Sequence, residues 1–345
     1  MIMRYPKFLT SHGRIGIVSP SFGIEGNPYQ PRYQHACQIF MTYGHSIVED
    51  ENVSHGIIKA ASASATDRAE AWMKSWEDSN LDVLLSAAGG ERMMEILPHL
   101  NWTLIANSHE SKWFMGYSDN TVLTFLLPIL ADTAAIYGPH VPEFGMIPWD
   151  LSLSESYNLL RGKTLIFHSY PFYEIHDQKF LPGNALAPYN LTEPTTIRSL
   201  HNEKTLHLSG RLIGGCLDLL PMLIGTPFDK VSDFITRYYH DGFLWFLETS
   251  DLSSLATLRS LWQLKEAGWF RNCKGILFGR PANQETPFDV TFEDVLHDIF
   301  DALSIPVVTG LDIGHVPPSW SIITGAMGDF LLTEGYATLQ MILKE

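Results

Sequence analysis

Cysteine is scarce. The 345 residues hold three, Cys37, Cys216 and Cys273, which are widely spaced, odd in number and free of any C-x-x-C pair. That excludes a disulfide framework and a zinc ribbon, and it fits a reducing compartment. Basic residues are also few, with 23 Lys+Arg against 38 Asp+Glu for a formal net charge of −15. No run of them occurs, so the phosphate neutralisation that a nucleic-acid binder needs is missing and an anionic membrane surface is disfavoured. Long apolar runs are absent: the best, Val122 to Leu130, is interrupted by Thr124 and Pro128 and falls short of the ~18 residues that argue for a spanning helix. Arg4 and Lys7 precede no apolar stretch ending in a small-residue cleavage site, so the expectation is a cytoplasmic protein without membrane attachment. H-E-x-x-H and histidines four apart are missing as well, and no metal or other cofactor is expected.

What is present is enough chain for two cores, since single cores stop growing near ~250–300 residues. Arg14–Pro20, Leu81–Ala87, Trp113–Gly116 and a segment from Ile136 are short buried-strand patterns. Helical spacing follows the first three, at Pro31–Tyr43, Glu91–Leu97 and from Thr121. Such alternation predicts a parallel sheet covered on both faces, with the loops at 19–23, 87–91 and 116–120 meeting at one rim. Between Gly145 and Lys204 prolines punctuate an aperiodic stretch, which reads as a linker with irregular or short antiparallel structure. Strands are expected again at Leu206–Gly215, Gly242–Leu247, Gly275–Gly279 and Ile305–Gly310, and helices at Cys216–Leu223, Leu252–Gly268 and Thr291–Leu303.

The strongest chemical signal is Phe114-Met-Gly-Tyr-Ser-Asp-Asn-Thr121, where an apolar strand meets a helix at a Gly-x-Ser turn. A serine there has an exposed hydroxyl, and the N–H groups that follow it converge at the helix start. Asn120 stands where G-x-S-x-G has its second glycine, and Ser118 or Asp119 fits a helix N-cap equally well. Gly89-Gly90 closes a neighbouring strand, either as a tight turn or as a donor of backbone N–H groups to an oxyanion. Glu248 leaves a core strand at its carboxyl end, a place for a histidine-orienting carboxylate or a helix cap. His315, in a Gly/Pro-fixed loop, and His140 compete as the partner imidazole.

In order along the chain, Ile15-Gly-Ile-Val-Ser-Pro20, Ala87-Ala-Gly-Gly90, Gly116-Tyr-Ser-Asp-Asn-Thr121, Gly210-Arg-Leu-Ile-Gly-Gly215, Phe246-Leu-Glu-Thr-Ser250, Gly275-Ile-Leu-Phe-Gly-Arg280 and Gly314-His315 resemble peptidase family S66. These are the LD-carboxypeptidases and the microcin C immunity proteins of the MccF type. The resemblance implies an α/β fold: an N-terminal parallel-sheet α/β domain with a nucleophile elbow (1–145), a linker or substrate-loop region (146–204) and a C-terminal mixed α/β domain (205–345). It implies Ser118 as nucleophile, His315 as general base and then acid, and Glu248 as the group that orients the imidazole. Asp119, Gly89 and Gly90 would form the oxyanion hole, and Arg280, Arg211 or Arg92 would bind a terminal carboxylate. The expected protein is a homodimer acting on a small peptide, muropeptide or peptidyl-nucleotide; a non-catalytic protein retaining the cleft is the alternative. In the MccF type a tryptophan of an inserted loop stacks on the nucleotide. No Trp lies between Trp149 and Trp245, which leaves Tyr173, Phe180 or Tyr189 for that part.

Overall fold

A computed structural model describes residues 2–344. Its first half alternates strand and helix: β1 (Arg14–Val18), α1 (Tyr29–Thr42), β2 (Ser46–Glu49), α2 (Ala65–Glu77), β3 (Val83–Ser86), α3 (Trp102–Asn107), β4 (Trp113–Gly116), α4 (Thr121–Ala131) and β5 (Ala135–Tyr137). Next come α5 (Leu151–Leu160), β6 (Ile166–His168), β7 (Phe172–Glu174), β8 (Leu191–Pro194) and β9 (Arg198–Ser199). The last part holds β10 (Thr205–Cys216), α6 (Val231–Arg237), β11 (Phe243–Glu248), α7 (Ser254–Glu266), β12 (Cys273–Gly279), α8 (Phe292–Phe300), β13 (Val307–Leu311), β14 (Ile322–Thr324), β15 (Met327–Thr333) and β16 (Tyr336–Ile342).

Two large sheets result. The first has the order β14-β5-β4-β3-β1-β2, parallel throughout except where β14 joins β5 antiparallel. Its central strands read Val-Leu-Leu-Ser and Trp-Phe-Met-Gly and are buried at every position, as a parallel sheet covered on both faces requires. The second sheet has the order β6-β16-β15-β10-β11-β12-β13-β9: a parallel centre from β10 to β13 with antiparallel strands on both flanks. The chain is thus an α/β protein with a parallel first sheet and a mixed second one.

The apolar run at 122–130 belongs to α4, buried on nearly every side, which is how an all-round hydrophobic helix behaves in a core. Phe125 of α4 meets Trp245 of β11 and Trp269, with ring centroids 6.0 and 5.4 Å apart, so the helix bonds the first sheet to the second. Among the described residues, no helix is long and apolar enough to cross a membrane.

Three local expectations change. Residues 91–97 form no α-helix but lead into a 3-10 segment, Met93–His99, with Pro98 inside it. The strand expected to stop at Gly215 runs to Cys216, and only a 3-10 turn, Leu220–Leu223, with a proline in its first positions, follows. The 146–204 stretch is more ordered than a linker. It contains α5, capped by Asp150, and its strands β6 and β9 form the two edges of the second sheet.

Candidate active site

Ser118 sits between β4 and α4 with φ +59°, a left-handed conformation that costs a non-glycine residue energy and concentrates at functional turns. The turn is held from below. Asn120 donates its side-chain amide to the Ala88 carbonyl at 2.9 Å, and Asp119 accepts from the Met93 N–H at 3.0 Å and from the Ser21 hydroxyl. Phe22 N–H donates to the Gly89 carbonyl at 3.1 Å. The three loops at 19–23, 87–91 and 116–120 therefore do meet at one rim. Burial pushes the Asp119 carboxyl up, and the Ser21 and Met93 donors oppose that shift; its side chain is a strut for the turn. A Cβ added at Gly89 would lie 3.2 Å from Ser118 Cβ and 3.3 Å from Ser118 Oγ, so this backbone passes directly beside the serine. Among the described residues the N–H groups of Gly89 and Gly90 find no acceptor.

Glu248 ends β11, fully buried. Its Oε2 lies 2.8 Å from His315 Nδ1, and its Oε1 accepts the Tyr137 hydroxyl at 2.6 Å. Burial alone would raise the Glu248 carboxyl, but the charge and hydrogen bond of His315 outweigh it and hold the group below its ordinary value. Burial likewise disfavours a charged His315, yet Glu248 raises it above the ordinary imidazole value. Gly314, at φ +97°, makes this approach possible, because a Cβ there would collide with the Glu248 carboxylate. The His315 ring lies 5.0 Å from the ring of Tyr117, the residue before Ser118. The glycines of β10 explain how the two halves close up. Cys216, the register partner of Glu248, donates its N–H to Thr121 Oγ1 at 3.1 Å, and a Cβ on Gly215 would press on the same threonine.

His140 is buried and stacked on Tyr117 at 4.3 Å. Its Nε2 lies 3.1 Å from the Asn120 amide and 3.0 Å from the Tyr117 carbonyl, and burial lowers its pKa. It braces the serine turn, while the carboxylate partner belongs to His315. Arg280 is engaged by Asp312 at 2.8 Å and by the carbonyls of Val316 and Pro318 at 3.1 Å, so it anchors the loop carrying His315. Arg211 is not brought to the site. It pairs with Asp241 at 2.6 Å, about 16 Å along β10 from Cys216 at 3.3 Å per residue. Arg92 is tied to Glu95 at 2.6 Å. Tyr137 and Ser21 went unread in the sequence; the signal for Tyr137 was its place at the carboxyl end of a strand, where such folds bind ligands.

A cleft of about 720 Å³ reaches His315 and is lined by Tyr173, Arg198, Leu200, Arg280 and Leu296 among others. Tyr173 lies under the Arg280 guanidinium at 4.7 Å. Phe180 is largely exposed, and Tyr189 lies in a smaller pocket beside Tyr117 and His315.

Residues 15–138 match the LD-carboxypeptidase N-terminal domain of family S66, and residues 209–330 match its C-terminal domain. A probable murein peptide carboxypeptidase of Bacillus subtilis is 25% identical over 99% of this chain and 95% of its own length. The microcin C7 self-immunity protein MccF of Escherichia coli is 26% identical over 76% of this chain and 75% of its own. A solved structure of MccF in complex with glutamyl sulfamoyl guanosine superposes with a TM-score of 0.79 at 19% identity, covering 99% of each chain. With both domains matched in order over most of its length, the chain belongs to the LD-carboxypeptidase family, S66.

Proposed function

We propose that the protein is a serine-type carboxypeptidase that hydrolyses the C-terminal amide of a small peptide through Ser118, His315 and Glu248. The observation that carries this reading is the buried Glu248–His315 pair at 2.8 Å, facing a serine turn held at positive φ. With Nδ1 bound to Glu248, His315 Nε2 is the nitrogen that takes the Ser118 proton as Oγ attacks the carbonyl carbon. The same proton then passes to the leaving amine, and water discharges the acyl-enzyme by the reverse relay. The N–H groups of Asp119, Gly89 and Gly90 receive the oxyanion. In this reading residues 1–145 supply the nucleophile, 205–345 the base and its carboxylate, and 146–204 the pocket wall, in a cytoplasmic homodimer; sedimentation of the purified chain tests the dimer.

The substrate class follows from the relatives, named for murein peptides and for microcin immunity. Mass spectrometry of products from a panel holding a murein tetrapeptide, an aminoacyl-sulfamoyl nucleoside and an acidic dipeptide tests it. Release of a C-terminal residue or the nucleoside from one of them is expected, and a panel left intact would count against the reading. A fluorophosphonate probe separates an enzyme from a binding protein, since labelling should require both Ser118 and His315.

A further inference from the structure

Next to the cleft-lining residues Leu200 and Leu296, two histidines and a carboxylate converge. His297 of α8 and Asp301, four residues on, present their side chains on one helix face, where (i, i+4) neighbours meet. His201, in the turn after β9, reaches across to the same place. His201 Nε2 lies 3.3 Å from Asp301 Oδ1, and His297 Nδ1 lies 3.1 Å from Asp301 Oδ2. All three donor atoms fall within 4.8 Å of one another. Zinc bonds to nitrogen and oxygen measure ~2.0–2.1 Å, and in a tetrahedron those lengths set donor atoms ~3.3–3.4 Å apart. Taken to the single oxygen Asp301 Oδ1, the two separations are 3.3 Å from His201 Nε2 and 3.2 Å from His297 Nδ1, close to that edge.

We infer that His201, His297 and Asp301 form a zinc-type divalent cation site that staples the β9 turn to α8. Both elements wall the cleft: Arg198 and Leu200 from one side, Phe292, Glu293 and Leu296 from the other. The Arg198–Glu293 ion pair already bridges them one helical turn away. The site uses two imidazoles and a carboxylate, a donor set suited to zinc over calcium or magnesium, and it leaves a fourth position to water. Each imidazole ligates as the neutral ring through a lone-pair nitrogen, its N–H on the other nitrogen, and a proton is released to solvent only by a ring that was protonated beforehand. The expectation of no metal rested on histidine spacing within single segments, whereas here His201 comes from a distant part of the chain. The other convergent group, Cys216, Glu248 and His315, is a poorer fit: its 2.8 Å contact is shorter than a ligand edge, and Tyr137 occupies the second carboxylate oxygen.

The test is calorimetric titration of the tag-free, chelator-treated full chain with Zn²⁺, alongside His201→Asn, His297→Gln and Cys216→Ser. Each histidine variant should weaken the binding event by ~10-fold or more, as loss of a ligand does at least as strongly as loss of its supporting contacts, and Cys216→Ser should retain it. Hydrogen exchange at residues 199–204 should slow with Zn²⁺ in the parent chain and not in His297→Gln. The two histidine side chains are partly exposed and Cys216 is buried; near-ultraviolet circular dichroism reports whether each variant folds. No binding, binding unchanged in both histidine variants, or a Co²⁺ complex with an intense thiolate band lost in Cys216→Ser would each overturn the assignment.

Discussion

His315 Nδ1 lies 2.8 Å from Glu248 Oε2, a contact between the loop after β13 and the buried end of β11. It fixes the imidazole's direction and leaves its other nitrogen free of Glu248. Because Glu248 is wholly buried, the pair acts in a low-dielectric setting where its charge counts for more than in water.

If Ser118 is the nucleophile, Ser118→Ala should lower kcat by ~10³-fold or more on whichever amide the parent cleaves, with unchanged circular dichroism. Alanine also has to adopt φ +59°, so any loss of thermal stability should be small. Activity within tenfold of the parent would remove the assignment.

The pH profile follows from the signs at the pair. His315 is raised above 6.5; if it is the general base it must be neutral to accept a proton, so kcat/KM should rise with pH through a midpoint above that value. Glu248→Gln should move the midpoint down. For stability, the raised His315 contributes fully below 6.5 and loses that contribution as pH rises through its folded value. The lowered Glu248 contributes above 4.5 and loses it as pH falls through its folded value. The stabilising contribution of the pair should therefore be greatest between these limits, which urea titrations of parent and Glu248→Gln across pH will measure.

Gly314→Ala should impair catalysis more than folding. The added methyl meets the Glu248 carboxylate and must sit at positive φ, a strain of about 1–2 kcal/mol. We expect a fall in kcat, with the melting temperature lowered by only a few degrees. Gly89→Ala, crowding Ser118 at 3.2 Å, should act in the same direction, through the oxyanion donors if the proposed hole is correct.

Arg280→Met should be strongly destabilising. It strands Asp312, whose carboxyl is already pushed up to about 6 by burial despite Arg280, and breaking one side of a buried pair costs about 3–5 kcal/mol. The loop carrying His315 loses its anchor at Val316 and Pro318. Activity remaining at low temperature should therefore show a lowered kcat.

The serine turn was legible because strand, glycine, serine and helix follow one another within eight residues, and local backbone geometry does the rest. The same is true of Glu248, which emerges from an uninterrupted apolar strand. The partners of Arg280 and Arg211 were not legible because a charge in sequence carries no record of its partner. Asp312 and Asp241 lie about 30 residues away in each case and reach them only through strand pairing. Residues 146–204 lacked period because their strands are two to four residues long and sit at sheet edges or in a small hairpin, where alternation has no room to show.

By itself the sequence determined the α/β class, the chain order of the triad candidates and the family, since these rest on local hydrophobic patterning and on short motifs. Beyond the resemblance, which already implied His315, tertiary structure decided the 2.8 Å contact between His315 and Glu248, that Tyr137 takes the second carboxylate oxygen, and that His201 reaches His297 and Asp301. The first two relations depend on β14 crossing into the first sheet and on α4 packing between the two sheets, and the third on β9 pairing with β13. They are long-range contacts set by burial, and no spacing along the chain encodes them.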